Sequence, residues 1–392
     1  MRVPRSVRAA VVLTAAVTIP ATIAPVATAT GLPPLPFGVS ITVTDLGTLP
    51  GAPSGIAHDV TDRGLVVGVS GNEFDGTGRA VGWRAGRGTD LGSGVAYQAN
   101  ERGQVVGTAR TATTTSARLW HQGTEVDLTP GRTSTADQVN ERGDVLVDIR
   151  PGDGQPRRLG RWRDGALTEL AIPGPASESL ERAVLGQGGH IAGSVRHYTG
   201  TGPSYGFNCS GQVCSVLPPL DPAGDKAVTV VAVDPTGTVY GTVEGAAGKS
   251  TAVRWTGDRV TPIASPESES SVVAAVSPRG GHVTGMSVRP DGGVRGFRLH
   301  DGRFTDLGDA AATGSPHVVN DLGDVVLSRM ISLYEVRASL WRHGRTWELP
   351  TLGGQFAGVR AINNNGVIVG MATAGPAFTP RPVQWTVPWL PL

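Results

Sequence analysis

The side chains best suited to proton transfer or metal binding near neutral pH are eight histidines: His58, His121, His190, His197, His282, His300, His317 and His343. They are scattered. No His-Glu-x-x-His pair and no Gly-x-Ser-x-Gly nucleophile elbow occurs. Six acids, Asp45, Asp90, Asp127, Glu169, Asp306 and Glu348, each precede a leucine. An acid that returns at one place in a pattern reads as a structural hydrogen-bond acceptor. A glycosidase instead needs two acids that converge, one of them with a raised pKa. Gly245-Ala246-Ala247-Gly248-Lys249-Ser250 resembles the end of a phosphate-binding loop. Its first required glycine falls at Val243, however, and it lies between two strands. No catalytic residue, metal-ligand set or cofactor motif is assigned.

The elements that must position these residues come from a repeat. One pattern recurs eight times across residues 41–387. An alternating strand ends at Asn-x-x-Gly or a variant. A Val-rich strand follows, then a strand ending in Trp, then a tight turn and Asp-Leu or Glu-Leu. The Trp column runs Trp83, Trp120, Trp162, Cys209, Trp255, Leu299, Trp341 and Trp385. Its mean interval of about 43 residues matches a four-stranded propeller blade. Such units cannot bury their faces alone and must stack.

The turn column agrees: Asn100-Glu101-Arg102-Gly103, Asn140-Glu141-Arg142-Gly143, Asn320-Asp321-Leu322-Gly323 and Asn363-Asn364-Asn365-Gly366 are versions of one turn. Asp234-Pro235-Thr236-Gly237 and Thr61-Asp62-Arg63-Gly64 are two more. Asn or Asp first, Pro tolerated second and Gly last describe a type I hairpin turn with a bulge-forming glycine. Repeats four and six are degenerate here, and repeat six carries an extra residue. On the first strand, Ala57, Ala96 and Ala136 stand four residues before the turn, and Val60, Val139, Val233, Val319 and Ile362 just before it. The expectation is that the small residues face one neighbouring blade and the branched ones the other.

The phase at the ends predicts closure. Ile41-Thr42-Val43-Thr44-Asp45-Leu46 is a fourth strand with nothing before it, and residues 381–387 are a third strand with no fourth. The first completes the last blade and removes two sheet edges. The expected fold is therefore all-β: an eight-bladed β-propeller of four-stranded antiparallel blades. The alternative is seven blades plus an insertion, with repeat four the weakest member.

Residues 1–29 read as a signal peptide. Arg2, Arg5 and Arg8 precede an apolar run, and Ala27-Thr28-Ala29 fits the cleavage site. Residues 30–40 are a linker and 388–392 a tail. The protein is expected to be secreted, with no membrane insertion after cleavage. Without those three arginines, 31 basic residues face 33 acidic ones, so charge recommends no nucleic-acid partner. Cys209 and Cys214 flank the turn after the third strand of repeat four, and a disulfide is expected. Cys209 stands where other repeats carry Trp, so the bridge replaces a lost packing aromatic.

The pattern resembles the bacterial extracellular HAF-repeat family. The resemblance is carried by residues 44–51, by Thr351-Leu352-Gly353-Gly354 and by residues 361–370. The naming His-Ala-Phe tripeptide is replaced by Arg79-Ala80-Val81, Thr251-Ala252-Val253 and Arg337-Ala338-Ser339. The resemblance spans nearly all of the chain after residue 29 and implies secretion and a propeller-like fold. It implies no reaction.

Function is then expected where repeats differ. His58, Tyr97, Asp137, His317 and Arg360 share one position, three residues before the turn, which in repeats four and five holds Ala183 and Val231. First strands line a propeller's channel, so these five are candidate ligand contacts. The loops between second and third strands vary most, at 72–75, 150–158, 196–205, 289–295 and 329–337. They offer Tyr198, Tyr205, Tyr334 and several arginines. The expected role is a monomeric, non-catalytic module binding an extracellular protein, peptide or glycan. A polysaccharide hydrolase or lyase with acids near the channel, and a purely structural surface protein, are the alternatives.

Overall fold

The computed structural model describes residues 40–388 except 111–113, 153–154, 175–177, 198–203, 246, 264–267 and 376–378. The expected signal peptide, the linker before Ser40 and the tail beyond Pro388 lie outside the described residues. Among those residues the fold is all-β, with 31 strands and a single one-turn helix, Ala310–Thr313.

Six sheets have four antiparallel strands and one has seven. The larger sheet joins repeats one and two through a single strand, Arg87–Ala99. Its first half pairs with Arg79–Arg84 and its second with Val105–Arg110. Gly94 permits the passage. Its φ is +136°, and a Cβ there would sit 1.9 Å from the carbonyl oxygen of Thr108. Repeat four forms its own sheet from Glu178–Leu185, Ile191–His197, Tyr205–Ser210 and Val213–Val216. At the other end of the ladder, Thr42–Asp45 pairs antiparallel with Pro380–Thr386, from Thr42 opposite Thr386 to Asp45 opposite Val383.

The core is a series of layers between successive sheets. Val67 and Ala80 of repeat one meet Ala96, Ala99 and Trp120 of repeat two. Leu146, Leu159 and Leu170 of repeat three meet Phe207 and Cys209 of repeat four. Val369 of repeat eight meets Ala57, Val60 and Trp83 of repeat one in the same way. In three repeats the third-strand Trp also bonds back to the preceding repeat. Trp83, Trp255 and Trp385 donate their indole N–H to the carbonyls of Gly47, Pro218 and Pro350 at 3.1, 2.9 and 2.7 Å. Each such side chain contributes about 3 kcal/mol by burial alone. Cys209 cannot reach a neighbour so, and is bridged to Cys214 directly across the hairpin.

Every turn after a first strand has the expected hydrogen bonds. In repeat two, Gly103 N–H donates to Asn100 O and Asn100 N–H to Gln104 O. In repeat six the closing bond runs from Ser277 N–H to His282 O, one residue farther on.

One expectation is corrected. Ala57 and Val60 face the same neighbour, repeat eight, and Ala136 and Val139 both face repeat two. An odd spacing of three puts residues on opposite faces only in a regular strand. Here a β-bulge intervenes. The pairing jumps between Ala57 and Asp59, leaving His58 unpaired. The same jump skips Tyr97, Asp137, Val231, Ala274, His317 and Arg360. In repeat four it comes two residues earlier and skips Glu181.

Candidate functional site

The position singled out by its mixed chemistry is thus the unpaired residue of a bulge. A bulge bends the strand and re-aims one side chain away from the pleat. The first strands lie side by side from each repeat to the next, and that of repeat eight lies against that of repeat one. Their bulged residues therefore follow one another along that row of first strands. Asp137, His317 and Arg360 keep part of their surface open to solvent, though protein crowds around Asp137 and His317, and His58 and Tyr97 are half-buried.

Contacts among these residues run through repeats seven, eight, one, two and three. His317 Nε2 lies 3.0 Å from Val359 O, the residue before Arg360. Burial lowers the His317 pKa, and the Arg360 charge adds to this. His58 Nε2 lies 3.1 Å from a Glu73 carboxylate oxygen. Burial pushes the Glu73 carboxyl up, but the His58 hydrogen bond and charge, with Arg360, hold it below the usual carboxylate range. The His58 and Tyr97 rings lie 5.6 Å apart. Tyr97 is pushed up to about 12 by burial, with Asp137 and Glu73 adding to the effect. Burial also raises the Asp137 carboxyl, and Asp148 raises it further. Asp148 itself is gripped by Arg157 through both carboxylate oxygens, and Arg150 is 3.6 Å away.

The five candidates on first strands therefore form one polar arc. The rest of the row differs: repeats five and six present Val231 and Ala274 there, and the displaced bulge of repeat four presents Glu181. Glu73, Arg150 and Arg157, in the arc's surroundings, lie in the variable loops 72–75 and 150–158 that the sequence pointed to without singling them out, and only Asp148, on a second strand, falls outside those loops. Their loops and strands have no common spacing. The bulge did leave a signal. Gly68, Gly107, Gly193, Gly241 and Gly370 each follow the turn glycine by four residues, and Gly285 follows Gly280 by five in the longer turn of repeat six. A Cβ at Gly107 would meet Val95 O at 1.9 Å, because the bulged strand presses there.

The next residue ties the first strands together. Asp59 Oδ2 accepts from Ala99 N–H at 3.0 Å, Gln98 Oε1 from Val139 N–H at 2.8 Å, and Gln138 Oε1 from Leu185 N–H at 2.8 Å.

The three tyrosines from loops do not behave alike. Tyr205 donates its hydroxyl to Pro173 O at 2.5 Å, a link between repeats three and four. Tyr334 is exposed at the tip of a turn closed by Glu335 N–H to Ser332 O, beside exposed Met330 and Leu333. Tyr198 lies outside the described residues.

The repeated acids are scaffold. Asp45, Asp90, Asp306 and Glu348 pair with Arg381, Arg79, Arg295 and Arg337, each on the adjoining third strand. Asp45, Asp90 and Asp306 also accept a backbone N–H two residues on. The Gly245–Ser250 segment is a hairpin connection: Gly245 N–H donates to Lys249 O. Among the described residues, no helix is long and apolar enough to cross a membrane.

No family model and no curated protein matches the chain. Solved structures do. The chain is similar to a prolyl endopeptidase, with a TM-score of 0.51 and 12% identity over 81% of this chain and 54% of that one. It is also similar to a puromycin-hydrolyzing peptidase of Mycobacterium tuberculosis, at 0.46 and 14%, over 84% and 57% of the two chains. TolB from Acinetobacter baumannii matches at 0.40 and 9%, over 71% and 77%. The fold is β-propeller-like. The chain spans about half the length of the prolyl endopeptidase, and at this identity the likeness bears on fold alone.

Proposed function

We propose that this protein is an exported, non-catalytic binding module. On this reading it is a closed eight-bladed propeller that takes an extracellular protein, peptide or glycan at the loop-face end of its axis. The observation that carries the reading is the arc of bulged residues. Five first strands direct His317, Arg360, His58, Tyr97 and Asp137 to one side of the axis, and Glu73 reaches it from a loop. Packing alone does not call for two histidines, an arginine, a tyrosine and an acid at one repeat position.

Eight blades and closure are supported by the pairing of Thr42–Asp45 with Pro380–Thr386 and by the apolar layer between repeats eight and one. Repeat four packs on both of its neighbours, which argues against treating it as an insertion. The HAF-type assignment rests on the turn and Asp-Leu-Gly residues. Export rests on residues 1–29 and is compatible with the Cys209–Cys214 disulfide.

A screen of protein purified from a secreting host, against cell-wall glycans, extracellular polysaccharides and peptides, tests the function. At least one ligand is expected to bind and to lose tenfold or more in affinity with Arg360→Gln or Asp137→Asn. A folded sample that binds nothing in these classes, or a ligand indifferent to both variants, overturns the reading.

A hydrolase or lyase is the second reading, favoured by Asp137 beside Asp148. It ranks lower because both Asp148 oxygens are already engaged by Arg157.

A further inference from the structure

Repeat three departs from the charge pattern of the others. In repeats one, seven and eight, one arginine on the third strand meets one acid on the fourth: Arg79 with Asp90 at 2.7 Å, Arg337 with Glu348 at 2.9 Å, Arg381 with Asp45 at 2.9 Å. Repeat three keeps this pair as Arg158 with Glu169, at 3.3 Å. A second cation, Arg132, takes the same carboxylate at 2.5 Å. Close by, Asp148 is shared between Arg157 and Arg150. Four guanidinium groups thus face two carboxylates. With nearby Asp137 counted as a third acid, the guanidinium groups still outnumber the carboxylates.

Arg132, Arg150 and Arg158 open into one cavity of about 340 Å³, together with Thr133 and Gln155. That volume is at the lower end for small-ligand sites. The planar guanidinium fork matches an oxyanion through two parallel hydrogen bonds and is weakly hydrated, so it binds such groups well. Repeat six offers a contrast. Arg289 lies 3.9 Å from Asp306, which Arg295 already pairs. The cavity there is only about 140 Å³ and is walled by Phe297 and Phe304.

We propose that the cavity between Arg132, Arg150 and Arg158 binds an oxyanionic group, carboxylate or sulfate, carried on a small polar ligand such as a sugar acid. Its place on the loop face rests on the binding-module reading only for its part in holding a larger ligand. The anion site itself is testable alone.

The test is calorimetric titration at low ionic strength, using glucuronate, inorganic sulfate and neutral glucose as probes. Glucuronate is expected to bind and glucose not to. Arg132→Gln and Arg150→Gln should each weaken glucuronate binding tenfold or more, and added salt should weaken it further. Arg289→Gln should leave it unchanged. Competition by sulfate assigns the site to any oxyanion, and its failure assigns it to the planar carboxylate; either supports the proposal. Both substituted side chains are about half exposed, at 52% and 55%, so the variants should melt like the parent. Natively melting variants with unchanged affinity overturn the proposal. So does the absence of any anion binding beyond that of the Arg132→Gln/Arg150→Gln double variant. Arg360→Gln separates this site from the axial arc, since it should spare glucuronate binding. If the wider ligand screen fails while glucuronate still binds, the arc reading falls and this one stands.

Discussion

Asp59 shows how a single side chain can serve the scaffold at a cost. It does for Ala99 N–H what Gln98 and Gln138 do for Val139 and Leu185, but as a carboxylate. Burial pushes its pKa up to about 6, opposed by the Ala99 and Val60 N–H groups and reinforced by Glu101 and Glu141. The folded protein therefore holds this proton more tightly than the unfolded chain. Its contribution to stability is full below about pH 4 and is lost as pH rises through 6. Asp59→Asn keeps the carbonyl acceptor and removes the charge. Its stability should exceed the parent's at pH 7.5 by about 1–2 kcal/mol, after allowing for solvent screening, and the difference should close at pH 4.5. Urea melts at the two pH values check this, and parallel curves would contradict it. Residue identity alone was enough to class the acids before leucine as scaffold, because repetition marks them. It was not enough to single out Glu73 within loop 72–75, because its pairing with His58 depends on how that loop folds back.

Among elements, the turn after each first strand turns out to be a latch as well as a corner. The Asn100, Asn140, Asn320 and Asn363 amides each donate to the first-position carbonyl of the next turn, at 2.9 to 3.1 Å. Second-position side chains add a parallel chain: Glu141 accepts from Glu101 N–H, Asn364 from Asp321 N–H and Asp62 from Asn364 N–H. Asn363→Ala should therefore cost about 2–3 kcal/mol, since it strands buried Thr61 O and two N–H groups that its oxygen accepts from. The reverse change is more telling. Thr61 has no amide to reach Asn100 O, so Thr61→Asn should stabilise by about 1 kcal/mol. Thermal melts decide both. The bulge makes a third demand. A Cβ at Gly370 would stand 2.0 Å from Gly358 O, so Gly370→Ala should lose about 3 kcal/mol or fail to fold. Gly281→Ala, with open space around it, should stay within about 0.5 kcal/mol. Strands and turns were legible because alternation and the Asn-x-x-Gly signature are local. The side on which Ala57 and Val60 pack was not, because one unpaired residue reverses the alternation and only the strand opposite reveals it.

For the whole molecule, the complementary phase of the two ends was readable, and the pairing of Thr42–Asp45 with Pro380–Thr386 accords with it. The layer behind that pairing includes Trp83, bonded to Gly47 O, and the Asn363–Thr61 latch spans the same junction. Deleting residues 40–47 should expose the Pro380–Thr386 edge and drive self-association, visible as higher-mass species in size-exclusion chromatography. A monomer that melts like the parent would count against closure. Function was less legible than fold, because a ligand reads what the repeats do not share: the bulged side chains and the loops above them. The central claim is that the polar arc at the axis is the recognition surface. Its most direct test is the affinity of the best ligand from the extracellular screen for the parent protein and for natively melting Arg360→Gln, with Arg289→Gln as a control. The account predicts a loss of tenfold or more for Arg360→Gln and none for the control. Equal affinity for all three proteins would contradict it.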